Sequence, residues 1–300
     1  MPTHQKHYVL ITAARNEERY IGACIESVLS QTLLPNKWVI VSDASSDDTD
    51  RIIQKYAQKN QLIRFKKKNH DPEVQGFCSK VAALNMGASF LADLDWRLIG
   101  HLDADITLGV NYYAMMLEKF IDNERLGIGG GYIFENQKGA FKSRAMNSLW
   151  SVAGGIQLFR RECYRDIEGL SPMPFGGEDW HAEIKARMKG WEVKAFPEIP
   201  AYHHNPGTGK RGAVEEGVRC GTMDYSIGTH PLFEIFKCLR RIKEKPILIF
   251  AVLQFLGFMR GYLLQHTRKT AKDEMDFLRK EQLSRLKNIL FFYKGKHAKI

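Results

Sequence analysis

Two aspartates stand one residue apart, at positions where acidic side chains could do chemistry. Asp103 and Asp105 lie in the stretch HLDADITLG (101–109), directly after the apolar run RLIGHL. Carboxylates this close raise each other's pKa and are costly to ionise together unless a cation lies between them. Mg2+ and Mn2+ prefer oxygen ligands and commonly bridge to substrate phosphates. The pair therefore predicts a divalent cation that holds a diphosphate. The tripeptide alone also fits one helix-capping and one solvated aspartate.

Short apolar strands precede and position this pair. Apolar and β-branched runs predict strands over 8–13, 38–42, 62–65 and 97–102. Helices of about a dozen residues separate these strands, and this alternation is typical of an α/β fold. We therefore predict a Rossmann-like, mostly parallel sheet with helices on both faces.

Polar clusters follow three of the predicted strands, at residues 13–17, 42–48 and 103–107. In open α/β sheets, ligands bind at the carboxyl ends of the strands. The three clusters should therefore meet at one edge of the sheet and form a ligand site.

Helix-start signals are interleaved with these clusters. Asn16 is a candidate N-cap, Ser45 with Asp48 has the spacing of a capping box, and Ser79 is a third candidate cap. Further along, the pattern predicts a helix over 178–190 that stops at Gly190. Strands are predicted over 126–134, 153–162 and 191–197, the last leading into a loop over 201–212.

The order and spacing of several motifs carry a resemblance that covers about residues 7–210. These motifs are VLITAARNEERYIGACIESVLSQT, VIVSDASSDDT, SKVAALNMG, HLDADI and GGEDWHAEIKARMKGW. The chain resembles the family 2 glycosyltransferases, which use nucleotide sugars and have the GT-A fold. The resemblance implies a transferase of hexosyl type that inverts the anomeric configuration of the sugar.

The resemblance implies a nucleotide-binding role for residues at three strand ends and one helix start. Asp43 would contact the base or ribose, although Ser42 stands where the family often has a second acid. Lys80 would approach the diphosphate at a helix start, a position that favours anions. Alternatives remain for both, since Asp43 also fits a helix cap and Lys80 an exposed helix lysine. The implied set is Ala13, Ala14, Arg15, Asn16, Glu17, Asp43, Lys80, Asp103 and Ala104.

The metal and the catalytic base are implied in the same way. Asp103 and Asp105 would bind Mn2+ or Mg2+. A histidine of AYHH could give the metal a nitrogen ligand or contact the diphosphate, with His204 favoured over His203, and an ordinary pair at a strand end is the alternative. Asp179 matches the catalytic base of the family, and Glu178 stands beside it. The alternative is that both acids merely favour the first turn of a helix.

Small and mobile segments complete the predicted site. Gly154 and Gly155, together with Trp180, are expected near the donor sugar or the acceptor. Lys210 and Arg211 lie in a glycine-rich stretch and could fold over the leaving diphosphate; a mobile surface loop is the alternative.

The positive charge is concentrated at the end of the chain. Residues 231–300 hold 16 Lys and Arg against 6 Asp and Glu, a net charge of +10, which equals the net charge of the whole chain. We therefore expect a GT-A domain over 1–230 and a basic helical tail over 231–300. Within the tail, 246–264 is apolar except for Arg260, and 237–245 is basic. This pattern favours association with an anionic membrane surface, and helices packed on the domain are the alternative.

Composition narrows the function class and the compartment. The five cysteines are scattered, and residues 1–18 contain no long apolar run, so we expect a cytoplasmic protein on the inner face of the cell membrane. We expect partners to be a nucleotide-sugar donor, a UDP-sugar first, and a saccharide or lipid-linked acceptor of cell-surface glycan synthesis. Nucleic acid is disfavoured because the tail has an apolar centre, and oligomeric state is not predicted.

Two other functions remain open from sequence. DADIT also fits the D-x-D-x-T nucleophile loop of haloacid-dehalogenase-like phosphatases, but that loop usually follows the first strand, and three strands precede it here. A membrane protein that binds nucleotide sugars without catalysis is the second alternative; the acid at position 179 speaks against it.

Overall fold

A computed structural model describes residues 8–205, 212–242 and 248–297 of the chain. Within these ranges the chain forms two compact units. The first, here called the sheet unit, contains residues 8–174 and 178–205. The second, the helical unit, contains Phe175–Gly177 and the described residues from 212 onward. The sequence placed the boundary at 230, but the helix that begins at Ala213 packs against a helix of the predicted tail.

The described strands of the sheet unit form one mixed sheet. Its strand order is β3-β2-β1-β4-β8-β6-β9-β5, with β7 paired to β6. The first four strands run parallel, as predicted, because helices connect them. The strands are β1 (Tyr8–Ala14), β2 (Lys37–Asp43), β3 (Ile63–Lys68), β4 (Leu98–His101), β5 (Ile106–Leu108), β6 (Leu126–Gln137), β7 (Ala140–Ser143), β8 (Leu158–Arg160) and β9 (Glu192–His203).

Helices flank this sheet. The first strand is buried over nearly its whole length, as expected for a central strand covered on both faces. The third helix packs on β1 and β2. The helices are α1 (Ile21–Leu29), α2 (Thr49–Lys59), α3 (Phe77–Ser89), α4 (Tyr112–Asp122), α5 (Arg161–Asp166) and α6 (Glu178–Met188).

Two predicted strands have different bounds in the structure. The stretch 153–162 is broken into a 3-10 turn (Gly154–Ile156), the short strand β8 and the start of α5. The last strand continues to His203, so the first histidine of the pair predicted in a loop belongs to the sheet, and His204 follows directly after the strand. The stop at Gly190 is confirmed, since α6 ends at Met188 and Gly190, two residues further on, has a φ of +87°.

The three predicted helix caps are wrong. Asn16 has a φ of +55°, and α1 begins only at Ile21. Ser45 lies four residues before Thr49, where α2 begins, and the N-cap residue of that helix is Asp48, whose side chain makes no capping bond. Ser79 lies inside α3 and donates its hydroxyl to Asp43 Oδ1 at 2.9 Å. These side chains therefore bond polar groups far along the chain and do not cap a neighbouring helix.

The helical unit contains four described helices. α7 ends at Gly228, which has a φ of +94°, and α8 begins after His230, whose ring accepts from Leu232 N at 3.2 Å. Within the described residues, no helix has both the length and the apolar composition that a membrane crossing requires. The helices are α7 (Ala213–Ile227), α8 (Pro231–Arg240), α9 (Ile249–Leu263) and α10 (Lys272–His297).

Candidate active site

The predicted acidic pair follows β4, at the carboxyl end of the parallel strands. Asp103 N donates to Gly155 O at 3.0 Å, which fixes the first aspartate to the turn before β8. Asp103 Oδ1 lies 2.8 Å from Lys80 Nζ, and Asp105 Oδ2 lies 3.1 Å from His203 Nε2. Each carboxylate thus has a basic side chain against one of its oxygens.

The charges of Asp103 and Lys80 stabilise each other. Burial acts to raise the pKa of Asp103, but the Lys80 ammonium outweighs it and lowers the pKa below its ordinary value. Burial acts to lower the pKa of Lys80, and the charges of Asp103 and Glu178 outweigh it, so its pKa is raised. Both groups are therefore ionised at neutral pH.

The two histidines after β9 face different partners. His203 bonds Asp105; burial acts to lower the pKa of His203, and the hydrogen bond and charge of Asp105 outweigh it and raise that pKa. His204 Nε2 lies 2.8 Å from Thr107 Oγ1, and burial lowers its pKa. The pairing of β9 with β5 sets Ile106 opposite His203, and side chains alternate along a strand. The structure therefore brings His203, and not the ring of His204, to the acidic pair.

The donor chemistry of this pair fits a hard divalent cation. Asp103 Oδ2 and Asp105 Oδ1 have no hydrogen-bond partner among the described residues. Carboxylate oxygens with one imidazole suit Mn2+ or Mg2+. In the described part of the chain, no three His, Cys, Asp or Glu side chains are already arranged to hold a metal ion. The residues thus fit the ion chemically. In the structure, Lys80 lies against the carboxylate of Asp103 and His203 against that of Asp105, where a bound cation would otherwise balance the negative charge.

The predicted base lies in the first turn of α6. Asp179 Oδ2 accepts from Gly154 N at 3.0 Å, and Oδ1 accepts from Trp180 N at 2.8 Å. A Cβ at residue 154 would lie 2.8 Å from Asp179 Oδ2, and one at residue 155 would lie 2.6 Å from Asp103 Oδ2. The two glycines therefore let the backbone approach both aspartates.

Glu178 is buried beside this base. Burial, and then the charge of Asp179, raise the pKa of Glu178 to about 7, although Lys80 opposes the shift. Its Oε2 atom is buried and has no hydrogen-bond partner among the described residues. Lys80 interacts electrostatically with Asp103, Glu178 and Asp179. One ammonium group therefore joins the acidic pair to the predicted base.

A further buried acid, which sequence reasoning missed, supports the same turn. Glu183 Oε1 accepts from Val152 N at 2.6 Å and from Ser151 Oγ at 3.2 Å. Gln157 Nε2 lies 3.4 Å from both Glu183 Oε1 and Asp179 O. The only sequence signal was position, because Glu183 follows Asp179 by four residues and so shares its helix face.

The predicted nucleotide end lies at the carboxyl ends of β1 and β2. Asp43 is buried, and its Oδ1 accepts from Lys68 Nζ at 2.8 Å and from Ser79 Oγ at 2.9 Å. Sequence reasoning missed Lys68, although the run FKKK at the end of a strand is an available signal. Ser42, which stands where the family often has a second acid, donates its hydroxyl to Asp50 of α2.

The remaining predicted residues of this end line the neighbouring loop. Ala14 and Ala104 are buried, Ala13 is half-buried, and Arg15 is exposed. The loop itself is bonded to the segment before α2: Asn16 Oδ1 accepts from Ser46 N at 2.8 Å, and Glu17 N donates to Thr49 Oγ1 at 2.8 Å. Trp180 is half-buried at the start of α6. The predicted diphosphate residues Lys210 and Arg211 lie outside the described residues.

Comparison with known families assigns the chain. The model of glycosyl transferase family 2 matches residues 9–176, which include the acidic pair and end just before α6. The chain belongs to glycosyl transferase family 2. The prediction of this family is confirmed, and with it the prediction of a glycosyltransferase at the level of the family.

Relatives and solved structures of this family type agree with the assignment. Chondroitin synthase of Escherichia coli is 23% identical over 192 residues, 59% of this chain and 26% of the relative, so the chain spans about a quarter of that protein. Mannosyltransferase PcManGT from Pyrobaculum calidifontis, in complex with GDP-Man and Mn2+, matches with a TM-score of 0.56 and 17% identity over 99% of this chain and 84% of that one. S. aureus TarS in complex with UDP-GlcNAc matches with a TM-score of 0.53 and 13% identity, over 91% and 78%. These structures confirm the predicted GT-A fold.

Proposed function

We propose that this family 2 member transfers a sugar from a nucleoside-diphosphate sugar to an acceptor hydroxyl, in a single displacement that inverts the anomeric carbon. The observation that carries the proposal is the turn Gly154–Ile156, whose backbone touches both halves of the site. Gly154 N bonds Asp179, and Gly155 O bonds the backbone of Asp103. This turn would thereby hold the proposed base next to the proposed diphosphate-binding pair.

The donor end of the site is assigned to the acidic pair. Asp103 and Asp105, with His203, would hold Mn2+ or Mg2+, which supplies charge neutralisation for the departing nucleoside diphosphate. Lys80 carries a fixed positive charge at the same place and stabilises negative charge on the diphosphate. Two structural neighbours are complexes with GDP-Man and with UDP-GlcNAc, and these ligands support a nucleotide-sugar donor here. We keep a UDP-sugar as the first candidate, with Asp43 at the base or ribose.

The acceptor end is assigned to Asp179. Its Oδ2 is oriented by Gly154 N and its Oδ1 by Trp180 N, so the carboxylate has a fixed direction. We assign to it removal of the acceptor hydroxyl proton as that oxygen attacks the anomeric carbon. Glu178, with a pKa raised to about 7, is partly protonated at neutral pH and adds less negative charge beside the base than an ordinary carboxylate.

The cellular role follows from the kind of relatives and from the basic tail. Chondroitin synthase makes a polysaccharide, as its name states. We propose a saccharide or lipid-linked acceptor in glycan synthesis, reached from the cytoplasmic face of an anionic membrane. The net charge of +10 over residues 231–300 supports attraction to that surface. Lys210 and Arg211 remain predicted contacts of the leaving diphosphate.

The experiment separates donor binding from turnover in one panel of variants. Donor candidates are ranked by thermal stabilisation with Mn2+, and the best is used for calorimetry and transfer assays. Asp179→Asn should lower kcat roughly a thousandfold while the donor Kd changes less than about twofold. Asp105→Ala should weaken Mn2+-dependent donor binding more than about tenfold. Asp93→Asn, an exposed aspartate of the sheet unit, is the matched control.

Three results would contradict the proposal. Turnover near that of the unaltered protein in Asp179→Asn would remove this residue as the base. Donor binding that is insensitive to chelation and to Asp105→Ala would remove the metal from the site. Binding without transfer or donor hydrolysis for every donor would favour a non-catalytic binding protein. The phosphatase alternative has lost its support, because the family match covers the DADIT segment.

A further inference from the structure

The helical unit exposes apolar side chains along one face of each of two helices. On α9 the exposed residues are spaced by three or four positions, which places them on one helix face. They are Ile249, Val252, Leu256, Met259 and Leu263, between 39% and 79% exposed. On α8 the same spacing joins Leu232, Ile235 and Leu239, between 42% and 58% exposed. We call these eight residues the α8–α9 face.

Charged and polar side chains lie on the inner side of these helices. Lys237 Nζ binds both oxygens of Asp224 at 2.7 Å. Gln254 Nε2 donates to Asp224 Oδ2 at 2.9 Å and to Glu234 Oε1 at 3.0 Å, and Arg241 donates to Gln254 Oε1 at 2.8 Å. Asp224, Glu234 and Gln254 are fully buried. These polar groups thus bond one another inside, with only Glu234 Oε2 of the three buried side chains left without a partner among the described residues, while the apolar side chains of the α8–α9 face are exposed.

The packing of α7 on α9 also has the character of helices in lipid. Gly217 and Gly221 of α7 meet α9, and Gly257 and Gly261 of α9 meet α7. A Cβ at residue 221 would lie 1.8 Å from Gln254 O, and one at residue 257 would lie 2.1 Å from Val218 O. Small residues four apart that allow this backbone approach are typical of helix pairs in membranes.

The exposed charged side chains in the described part of residues 231–271 are positive. Arg240 and Arg260 are exposed at the ends of the two helices, and Lys269 is exposed beyond α9. In the described part of residues 231–271 the one acidic side chain is Glu234, which is buried. The apolar face thus lies on helices whose exposed charges, among the described residues of 231–271, are positive, and this complements an anionic lipid surface.

We propose that the α8–α9 face is the surface that enters an anionic bilayer, with both helices lying in the plane of the headgroup–acyl boundary. This inference rests on the membrane location of the proposed function and names the surface that serves it. At 15 residues, α9 is about 22 Å long at 1.5 Å per residue, shorter than a hydrocarbon core of about 30 Å. A second copy of the chain would instead set one tail of net charge +10 against another, whereas an anionic bilayer neutralises that charge.

The test measures binding of the full chain to vesicles by flotation. The probes are vesicles of phosphatidylcholine alone and vesicles of phosphatidylcholine with about 30% phosphatidylglycerol, which mimic an anionic leaflet. The unaltered protein should bind the anionic vesicles. Salt at about 0.5 M should release part of it, because salt screens the attraction between basic side chains and anionic lipid. The double substitution Leu239→Asp and Leu256→Asp should weaken partition about tenfold or more.

Matched controls come from the sheet unit. Leu34→Asp and Leu94→Asp alter leucines that are each 39% exposed, and they should leave vesicle binding unchanged. Circular dichroism confirms that every variant is folded, and donor calorimetry is repeated on each. Loss of vesicle binding with donor binding intact supports the inference independently of the transferase mechanism.

Two outcomes would overturn the inference. Equal vesicle binding by the double variant and the unaltered protein would show that another surface meets the membrane. A dimer in light scattering that the double variant dissociates, without vesicle binding by the unaltered protein, would assign the face to a second copy of the chain. Arg240→Gln with Arg260→Gln should reduce binding to anionic vesicles only, and equal loss on neutral vesicles would contradict the assigned role of charge.

Discussion

The buried acidic groups of the sheet unit differ from those of the helical unit in the partners that their oxygen atoms have. In the sheet unit an apolar core supports acids at the strand ends, and Asp103 and Asp105 each keep one oxygen without a partner among the described residues. In the helical unit both oxygens of Asp224 bind Lys237, and apolar side chains face outward. Glu234 of the helical unit also has a buried oxygen, Oε2, without a partner among the described residues, so an available oxygen does not by itself mark a site. Asp103 differs because Lys80 keeps it ionised, whereas burial raises the pKa of Glu234 to about 8.

Glycines sharpen this comparison, because both units use them for close approach. At residues 154 and 155 the atoms approached are side-chain carboxylates, whereas at Gly221 they are backbone atoms of α9. A carboxylate can move aside and change function, but backbone cannot move without separating two helices. The same substitution should therefore affect donor binding in one unit and stability in the other.

The largest effect of a single substitution on the free energy of unfolding at a fixed pH is expected for Gly221→Ala. Its Cβ would lie 1.8 Å from Gln254 O, and overpacking of this kind should lower the free energy of unfolding by about 3 kcal/mol. Each tryptophan of the chain lies between residues 38 and 191, so tryptophan fluorescence reports the sheet unit alone. Thermal unfolding followed by circular dichroism at a helix wavelength should shift more than unfolding followed by fluorescence.

The matched control for this substitution is Gly22→Ala on α1. A Cβ there meets no atom within 4 Å and the residue has no positive φ, so alanine should stabilise the helix by up to about 1 kcal/mol. If Gly221→Ala melted like the unaltered protein by both probes, the tight crossing of α7 and α9 would be wrong.

Sequence predicted the parallel half of the sheet well and its connecting details poorly. Buried strands such as β1 and β2 are continuous apolar runs, and this signal is local. Asn16, Ser45 and Ser79 are residue types that often cap helices, but each bonds a residue far along the chain. Asn16 N donates to Ser45 Oγ, 29 residues away, and Ser79 donates its hydroxyl to Asp43, 36 residues away. Local propensity could not reveal those partners, because they depend on which strands become neighbours.

The candidate site shows the same division. Asp103, Asp105 and Asp179 were predicted from motifs, since the family spacing is written in the sequence. The choice between His203 and His204 depends on the register of β9 against β5, which a one-residue slip would reverse. Lys68 is opposite Asp43 in the pairing of β2 and β3, and this cross-strand neighbour is invisible without the sheet.

A second test of the comparison uses pH on the helical unit. Burial, and then the charge of Asp224, raise the pKa of Glu234 from 4.5 to about 8. The charge of Lys237, and the hydrogen bonds that Gln254 and Cys238 donate to Glu234, oppose this shift. Below pH 4.5 both the folded and the unfolded chain hold this proton. Between about pH 5 and 8 only the folded chain holds it, so stability falls as pH rises, by roughly 2–4 kcal/mol in total.

Glu234→Gln isolates this contribution. The amide cannot ionise and keeps an oxygen for Gln254, so the loss of stability between about pH 5 and 8 should largely disappear in melts followed by circular dichroism. Glu178 and Glu183 of the sheet unit, whose pKa values are raised to about 7, should still produce a pH-dependent change in fluorescence melts. An unchanged circular dichroism profile in Glu234→Gln would mean that the buried carboxyl is already ionised in the fold.

The smallest effect is expected for Glu183, which we regard as a positioning residue of the sheet unit. Its Oε1 holds Val152 N, two residues before the amide that orients Asp179. Glu183→Ala should lower kcat about tenfold with the donor Kd changed less than twofold, because the turn loosens while the acidic pair remains. Glu183→Gln keeps an acceptor oxygen and should recover most of kcat. If donor affinity and kcat fell together in Glu183→Ala and glutamine gave no recovery, Glu183 would support the fold and not the direction of the base.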